Sequence, residues 1–125
     1  MHTVLIIDDE KSILHVLAIV LTKFGFNVET ASDCLEGIKK FDECNFDVVI
    51  TDICMPALDG NGVVRHIRNS KRRSTPVIGI SGTPWLLENN DFDAVLSKPA
   101  SIKTLVDTVK NITQHHQEQY APLQT

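Results

Sequence analysis

Short apolar runs alternate with longer amphipathic stretches along most of this chain. The short runs are continuous, which is typical of strands buried on both faces of a parallel sheet. The longer stretches carry apolar residues three and four positions apart, which predicts helices with one buried face. The predicted strands cover residues 4–7, 28–31, 47–52, 77–80 and 94–96, and the predicted helices lie at 11–24, near 34–41, near 63–67, within 84–90 and at 102–112.

The order of these elements, a strand followed by a helix five times over, predicts the fold class. Strands that are each separated by one helix pair in parallel through right-handed crossovers. The expected result is an α/β fold, a doubly wound five-stranded parallel sheet with helices on both faces, whose ligands bind beyond the carboxyl ends of the strands. A chain of 125 residues is long enough for one such domain.

Local signals mark several helix ends. Gly25 follows the first amphipathic stretch, where glycine commonly ends a helix. Ser101 is placed to cap the last helix. The apolar pattern of that helix stops near Gln114, so the domain is predicted to span residues 1–113, with residues 114–125 as a flexible tail.

The second helix is predicted from its first turn. Asp33 and Glu36 have the spacing of a capping box at a helix N-terminus. Leu35, Ile38 and Phe41 follow at helical spacing and are expected to form its buried face.

Composition and charge exclude several classes of protein. The net charge of −4 and the pI of about 5.6 argue against nucleic acid as a direct ligand. The chain has neither a long apolar run nor a basic leader segment, so a cytoplasmic protein without membrane insertion is expected. Cys34, Cys44 and Cys54 lack the spacing of a zinc site or a disulfide framework, and they are expected to be reduced thiols that are buried or half-buried.

Polar residues follow four of the predicted strands at the point where each strand ends. A single one of them could be a helix cap or a turn residue, as Asp9 could be for the first helix. Because parallel strands bring their carboxyl ends to one edge of the sheet, the set is expected to meet there. The residues are Asp8 and Asp9 after the first strand, Asp52 at the end of the third, Ser81 after the fourth and Lys98 after the fifth.

Three carboxylates at one edge repel one another, and a bound cation would neutralise this repulsion. At about 5 Å and an effective dielectric constant of about 20, each pair repels by roughly 3 kcal/mol. Such a cluster either binds a proton at a raised pKa or binds a hard cation, and carboxylate oxygens suit Mg²⁺. Mg²⁺ and Lys98 together would stabilise an arriving phosphoryl group, for which a carboxylate such as Asp52 can be the nucleophile.

The chain resembles, over about residues 3–113, the receiver domains of bacterial two-component response regulators. The resemblance implies the CheY-like, flavodoxin-like strand order 2-1-3-4-5. The motifs that carry it are the acidic pair after the first strand, Asp52 followed by Met55-Pro56, Asp59-Gly60, Ser81-Gly82 and Lys98-Pro99.

The resemblance also implies roles for these residues. Asp52 would receive a phosphoryl group from a sensor histidine kinase or a phosphotransfer protein of a phosphorelay. Asp9, Asp52 and the backbone carbonyl of Cys54 would bind Mg²⁺ directly, and Asp8 would help through water. Lys98 would pair with Asp52 or with the phosphoryl oxygens, and its bond to Pro99 would be cis. Ser81 would donate a hydrogen bond to the phosphoryl group.

Three features depart from the family pattern, and all lie on the face formed by the fourth strand, the fourth helix and the fifth strand, which the family commonly uses for output. Val95 stands where receivers usually have an aromatic residue, and Ala100 where many have phenylalanine. The segment between Ser81 and Lys98 is short, which predicts a shortened fourth helix. The phosphorylation chemistry is therefore expected to be intact, with a readout that differs from the usual aromatic switch.

Other functions stay open at this point. A Mg²⁺-dependent phosphatase with an aspartyl nucleophile would want an acid two residues later, where this chain has Cys54. A nucleotide or flavin binder would want a phosphate loop rather than acidic residues after the first strand. As a non-enzymatic switch the chain would act through an unidentified downstream target or by forming a homodimer, either alone or as part of a longer regulator.

Overall fold

The computed structural model describes residues 2–53, 60–82, 91–98 and 101–120. Within these ranges the strands are β1 (Thr3–Ile7), β2 (Asn27–Ala31), β3 (Val48–Asp52), β4 (Val77–Ser81) and β5 (Ala94–Ser97). The helices are α1 (Lys11–Lys23), α2 (Cys34–Glu43), α3 (Gly60–Arg68) and α4 (Ile102–Tyr120). The shortened helix predicted within 84–90 lies outside the described residues, so α4 is the fifth helix of the sequence prediction.

The five strands form one parallel sheet in the order β2-β1-β3-β4-β5. This confirms the predicted fold class and strand order. β1 and β3 lie in the interior of the sheet, where helices cover both faces, and their near-continuous apolar sequences suit that environment.

Successive side chains of β1 and β3 enter two different hydrophobic cores, one on each face of the sheet. Val48 and Ile50 of β3 pack in the core beneath α1 and α4, together with Leu17 and Val109. Val49 points to the other face, where α2 and α3 contribute a second core. This alternation determines which face each residue at the end of a strand occupies.

The ends of α1 and α2 follow the predicted local signals, with one error on α2. Gly25 has a φ of 91°, the left-handed conformation that glycine adopts readily after a helix. The side chain of Asp33 accepts a hydrogen bond from the backbone N–H of Glu36 at 2.7 Å. The prediction that Leu35 is buried is wrong, because its side chain is 68% exposed while neighbouring Cys34, about 100° away on the helix, enters the core.

The last helix is longer than its apolar pattern predicted. Ser101 caps it by accepting a hydrogen bond from the backbone N–H of Thr104 at 3.0 Å. The helix continues past Gln114 to Tyr120, since the polar residues there include neither glycine nor proline to end it. The boundary at residue 113 and the flexibility of residues 114–125 stay predictions.

Two of the cysteines can be compared with the prediction of buried or half-buried thiols. Neither Cys34 nor Cys44 forms a disulfide bond with another cysteine in the described part of the chain, and Cys34 is buried. Cys44 is exposed, contrary to the prediction, because it is the residue that ends α2 at the surface. Cys54 lies outside the described residues.

Arg68, the last residue of α3, ties the opposite edge of the sheet together. Its guanidinium donates hydrogen bonds to the backbone carbonyls of Arg73 and Thr75 at 2.8 and 2.7 Å. It also donates to the carbonyl of Asp91 and to the carboxylate of Asp93 at 2.7 and 2.8 Å. These bonds hold the chain that enters β5 against the end of α3.

Among the described helices, none combines the length and the apolar character of a transmembrane segment.

Candidate functional site at the carboxyl edge of the sheet

The strand register brings the predicted site residues to one edge of the sheet. Ile7, which precedes Asp8, pairs with Thr51, which precedes Asp52. On the other side of β3, Asp52 itself pairs with Ile80 of β4. The polar residues that end β1, β3 and β4 are therefore neighbours because the strands run in parallel with matched ends.

Asp8, Asp9 and Asp52 form a cluster of carboxylates. One oxygen of each residue lies within 4.8 Å of an oxygen of each of the other two. Asp8 and Asp52 are both only 2% exposed, whereas Asp9 is exposed. Two buried carboxylates at this distance have an unfavourable energy unless a proton or a cation compensates their charge.

The environment of Asp8 favours its protonated form. Burial raises the pKa of Asp8 to about 6, and the negative charges of Asp52 and Asp9 act in the same direction. The backbone N–H of Glu10 donates a hydrogen bond to the Asp8 carboxylate at 2.9 Å, which opposes part of this increase. The Asp8 carboxyl group therefore loses its proton at a higher pH than an ordinary aspartic acid does.

Lys98 supplies a positive charge on the other side of Asp52. Its Nζ donates a hydrogen bond to Oδ2 of Asp52 at 2.9 Å. Burial lowers the pKa of Lys98, but the hydrogen bond to Asp52 and the charges of Asp52 and Asp8 outweigh it, so the pKa lies above its ordinary value. The ammonium group is therefore charged across the physiological range and offsets part of the acidic cluster.

The backbone on both sides of the site is held as well. The N–H of Lys98 donates to the carbonyl of Ser81 at 2.8 Å, which joins the ends of β4 and β5. The hydroxyl of Thr51 donates to the carbonyl of Asp52 at 3.0 Å. Thr51 is a site residue that the sequence does not predict, since one threonine inside an apolar strand carries no signal that its hydroxyl bonds to the next residue.

Ser81 is the last residue of β4 and is buried at this edge. Val77 of the same strand packs in the core beneath α2 and α3, so the alternation along β4 places Ser81 on that face of the sheet. Asp52 lies on the other face, with Ile50. The Cys54 carbonyl, the cis bond before Pro99 and the residue Ala100 lie outside the described residues. Val95 lies on β5 and is half-buried.

An apolar groove of about 630 Å³ runs from the site between the first turns of α1 and α4. Asp8 and Lys98 line it at the end nearest the acidic cluster. Ile13 and Val16 of α1 and Ile102 of α4 supply apolar walls. Val16 and Ile102 are 45% and 44% exposed, so the groove presents apolar surface directly beside the charged site.

The residues at the edge fit a magnesium ion chemically. Carboxylate oxygens are the ligands that Mg²⁺ prefers, and the ion usually uses one or two carboxylates and completes its shell with water. Asp9 is exposed and Asp52 is buried, so the cluster offers ligands that face both solvent and protein. A divalent cation would also offset the charges of Asp52 and Asp9, which add to the effect of burial in raising the pKa of Asp8.

Comparison with known proteins matches this architecture. The family model described as the response regulator receiver domain matches residues 4–110. The probable transcriptional regulator ycf27 of Cyanidium caldarium is 33% identical over 127 residues, which cover 98% of this chain and 50% of that protein. The chain spans half the length or less of the first curated relatives that it matches.

Solved structures show the same arrangement of the chain. A response regulator receiver domain protein from Clostridium thermocellum superimposes with a TM-score of 0.85 at 31% identity, covering 95% of this chain and 99% of that one. The response regulator protein TrrA from Thermotoga maritima, in complex with Mg²⁺ and BeF, gives a TM-score of 0.82 at 30% identity, covering 90% of this chain and 99% of that one.

Proposed function

Because the chain belongs to the response regulator receiver domain family, we propose that it is a phosphoacceptor switch in two-component signalling. Asp52 is the proposed acceptor. The observation that carries the proposal is the setting of this carboxylate, which is 2% exposed, lies within 4.8 Å of two other carboxylates and is 2.9 Å from the Lys98 ammonium. A side chain in this setting is suited to phosphoryl transfer, which needs positioning and charge neutralisation more than covalent chemistry from other residues.

In the proposed reaction, a carboxylate oxygen of Asp52 forms a bond to the phosphorus of a phosphohistidine on the donor. The bond between phosphorus and the imidazole nitrogen breaks, and the imidazole leaves with its electron pair. Because the other ring nitrogen carries a proton, the leaving group is neutral. The product is an aspartyl phosphate, which makes the chain a substrate that assists its own modification rather than an enzyme acting on external molecules.

Asp8, Asp9 and Asp52 are the proposed magnesium-binding residues, with the Cys54 carbonyl as a further ligand and Asp8 acting through water. Bound Mg²⁺ would supply charge neutralisation for the phosphoryl oxygens. Lys98 is proposed to move its contact from the Asp52 carboxylate to a phosphoryl oxygen. The presence of Mg²⁺ in the TrrA complex, whose fold this chain shares, supports this assignment.

The proposed donor is a protein, either a sensor histidine kinase or a phosphotransfer protein. The apolar groove between α1 and α4 supports this choice, because it begins at Asp8 and Lys98 and offers exposed apolar surface to a docking partner. The groove is proposed to seat an apolar helix of the donor, which would place its phosphohistidine over Asp52.

The proposed output uses the face formed by β4, β5 and the segment between them. Ser81 would donate its hydroxyl to the phosphoryl group, and the bond from the Lys98 N–H to the Ser81 carbonyl would couple that change to β5. Val95 on β5 replaces the usual aromatic, so the signal would reach a downstream protein, or a second copy of the chain, without a rotating ring. The proposal places this switch in the cytoplasm, as a domain of residues 1–113 that contacts no nucleic acid itself.

Phosphorylation by a small-molecule donor tests the proposal directly. Wild type incubated with phosphoramidate and Mg²⁺ should gain one phosphoryl group that hydroxylamine removes, as expected of an acyl phosphate, detected by intact-protein mass spectrometry. Asp52→Asn and wild type in EDTA are the controls and should stay unmodified. Equal modification of Asp52→Asn, or none of wild type, would disprove the assignment.

A second assay separates the switch from the phosphatase alternative, which the family match does not favour. Steady-state release of phosphate from a phosphomonoester is measured with excess substrate and Mg²⁺. The switch predicts no sustained release above that of Asp52→Asn, whereas a phosphatase would turn over many times per molecule.

A further inference from the structure

Thr51 is a completely buried polar residue on β3, the central strand of the sheet. Its side chain has 0% exposure, and its hydroxyl donates a hydrogen bond to the carbonyl oxygen of Asp52 at 3.0 Å. A hydroxyl at such a position is unfavourable unless it is hydrogen-bonded, and valine would fill the same volume in a strand without that requirement. Packing alone does not require a threonine here, so the hydrogen bond to Asp52 is the specific contribution of the hydroxyl.

The bond joins the two faces of the sheet at the candidate acceptor. Thr51 shares its face with Val49, which packs in the core beneath α2 and α3. Asp52 shares its face with Ile50, which packs in the core beneath α1 and α4. The Thr51 hydroxyl thus holds the main chain of Asp52 from the side of the sheet opposite to the carboxylate.

The peptide group that follows Asp52 is consequently held at both of its polar atoms. Its carbonyl oxygen accepts from Thr51, and its N–H, which belongs to Ile53, donates to the carbonyl of Ile80 at 2.9 Å. The paired register between β1 and β3 ends at Ile7 and Thr51, so Asp52 lies one residue beyond it. The Thr51 hydroxyl provides a constraint where the register with β1 no longer does.

We propose that Thr51 is a positioning residue, whose hydroxyl fixes the Asp52 peptide and thereby the direction of the Asp52 carboxylate toward Asp8, Asp9 and Lys98. This inference rests on the proposed function of Asp52 as phosphoacceptor and magnesium ligand. Loss of the hydroxyl should leave the core packed but allow this peptide to rotate. The carboxylate would then spend less time in the geometry that binds a cation and attacks phosphorus.

Two substitutions separate the hydrogen bond from packing. Thr51→Val keeps the shape and removes the hydroxyl, whereas Thr51→Ser keeps the hydroxyl and removes the methyl group. A positioning role predicts that Val weakens Mg²⁺ binding, measured by isothermal titration calorimetry, by about threefold to tenfold, and that Ser stays within about twofold of wild type. The rate of phosphorylation by phosphoramidate should likewise be lower in Thr51→Val than in Thr51→Ser. Thermal stability should instead be lower in Thr51→Ser than in Thr51→Val, because serine lacks the buried methyl group.

A readout without metal or phosphoryl donor tests the local mechanism. Amide hydrogen exchange of Ile53, followed by NMR in EDTA, should be about threefold to tenfold faster in Thr51→Val than in wild type and close to wild type in Thr51→Ser. Thr113→Val is the matched control, since Thr113 is also buried and its hydroxyl donates to the carbonyl of Val109 at 2.8 Å in α4. It should change neither Mg²⁺ binding nor Ile53 exchange.

Wild-type behaviour of Thr51→Val, or equal impairment of the Val and Ser variants, would overturn the positioning role. If Thr51→Val fails to fold, Thr51→Ala replaces it. Equal Mg²⁺ affinity and equal Ile53 exchange in Thr51→Ser and Thr51→Ala would then overturn the positioning role. If wild type neither binds Mg²⁺ nor is phosphorylated, the proposed function fails, and the exchange of the Ile53 amide still decides whether Thr51 holds this peptide.

Discussion

The ammonium nitrogen of Lys98 lies 2.9 Å from a carboxylate oxygen of Asp52, although 46 positions separate the two residues in the sequence. The two side chains differ in their access to solvent, since Lys98 is 33% exposed and Asp52 is 2% exposed. The ammonium group of a partly exposed lysine therefore neutralises a buried carboxylate. Lys98 can therefore move its contact from the Asp52 carboxylate to a phosphoryl oxygen on the same residue, so the buried negative charge keeps a positive partner.

Replacing this lysine should impair phosphorylation. In Lys98→Met, the negative charge that accumulates during transfer loses its nearest ammonium group, and the rate with phosphoramidate is expected to fall by about 100-fold. Single-turnover phosphorylation followed by mass spectrometry measures this rate. Lys103→Met, at an exposed position of α4, is the matched control. A loss of less than about twofold in Lys98→Met would contradict the role given to Lys98.

The raised pKa of Asp8 predicts how the stability of the metal-free protein depends on pH. The pKa is about 6 in the folded state against an ordinary value of 3.8, so the folded state binds more protons than the unfolded state between these values. The free energy of unfolding should therefore fall as pH rises through this window, by about 2–3 kcal/mol from this group.

The contribution of Asp8 can be isolated by comparing wild type with Asp8→Asn. Urea denaturation in EDTA at pH values between about 4 and 7.5 should show the variant gaining stability relative to wild type as pH rises. Carboxylates that do not interact with Asp8 titrate equally in both proteins and cancel in the difference. A difference that does not change with pH would show that Asp8 is not the group responsible.

A charge in the apolar groove should separate protein donors from small ones. Val16→Asp is expected to slow transfer from a phosphorylated histidine kinase by about tenfold, because a charge would be buried beneath the docked partner. The kinase is chosen from a panel by its ability to phosphorylate wild type. The rate with phosphoramidate should stay unchanged, since the variant leaves the acidic cluster intact.

The control for the groove lies on the same helix. Ile19 of α1 is 44% exposed, nearly the same as Val16 at 45%, but it does not line the groove. Ile19→Asp should transfer at the wild-type rate from both donors. Equal slowing in the two variants would point to a general effect of charge on α1 rather than to docking in the groove.

Gly79 should be intolerant of a side chain for reasons of space. A Cβ atom there would lie 2.7 Å from Cδ1 of Ile53 and 3.0 Å from the ring of Phe92. Gly79→Ala is expected to reduce the free energy of unfolding by about 1–3 kcal/mol, because the Ile53 side chain and the partly buried Phe92 ring would have to shift to admit the methyl group. Gly82→Ala, whose Cβ would meet nothing within 4 Å, should stay within about 0.5 kcal/mol of wild type.

Urea denaturation of both alanine variants measures this difference. Adding Ile53→Val to Gly79→Ala should restore part of the lost stability, since it removes the Cδ1 atom that the new methyl group meets. Equal stabilities for the two single variants would mean that the sheet around Gly79 relaxes without cost.

Errors in the sequence analysis arose where a local pattern is compatible with two orientations. Leu35, Ile38 and Phe41 have helical spacing, and Ile38 and Phe41 do face the core. The position of the helix on the sheet buries Cys34 in place of Leu35. The apolar pattern of α4 ended before the helix did, because a helix beyond its core contacts needs only residues that tolerate the conformation.

The sequence by itself determined the layered α/β architecture and the residues that end each strand. The short continuous apolar runs, bounded by turn residues, favoured strands covered on both faces, and parallel pairing then placed Asp8, Asp52 and Lys98 at the same edge. These conclusions follow from periodicity and connection order, which are properties of the chain alone.

Only the tertiary structure decided how those residues interact. The 2.9 Å contact between Lys98 and Asp52 and the burial that raises the pKa of Asp8 depend on strand register and on helices packed from distant segments. The bond from Thr51 to the Asp52 carbonyl and the anchoring of β5 by Arg68 depend on directions of side chains that no spacing encodes. Distance, desolvation and hydrogen-bond direction exist only once the segments are assembled, and they turn a set of polar strand ends into a candidate phosphorylation site.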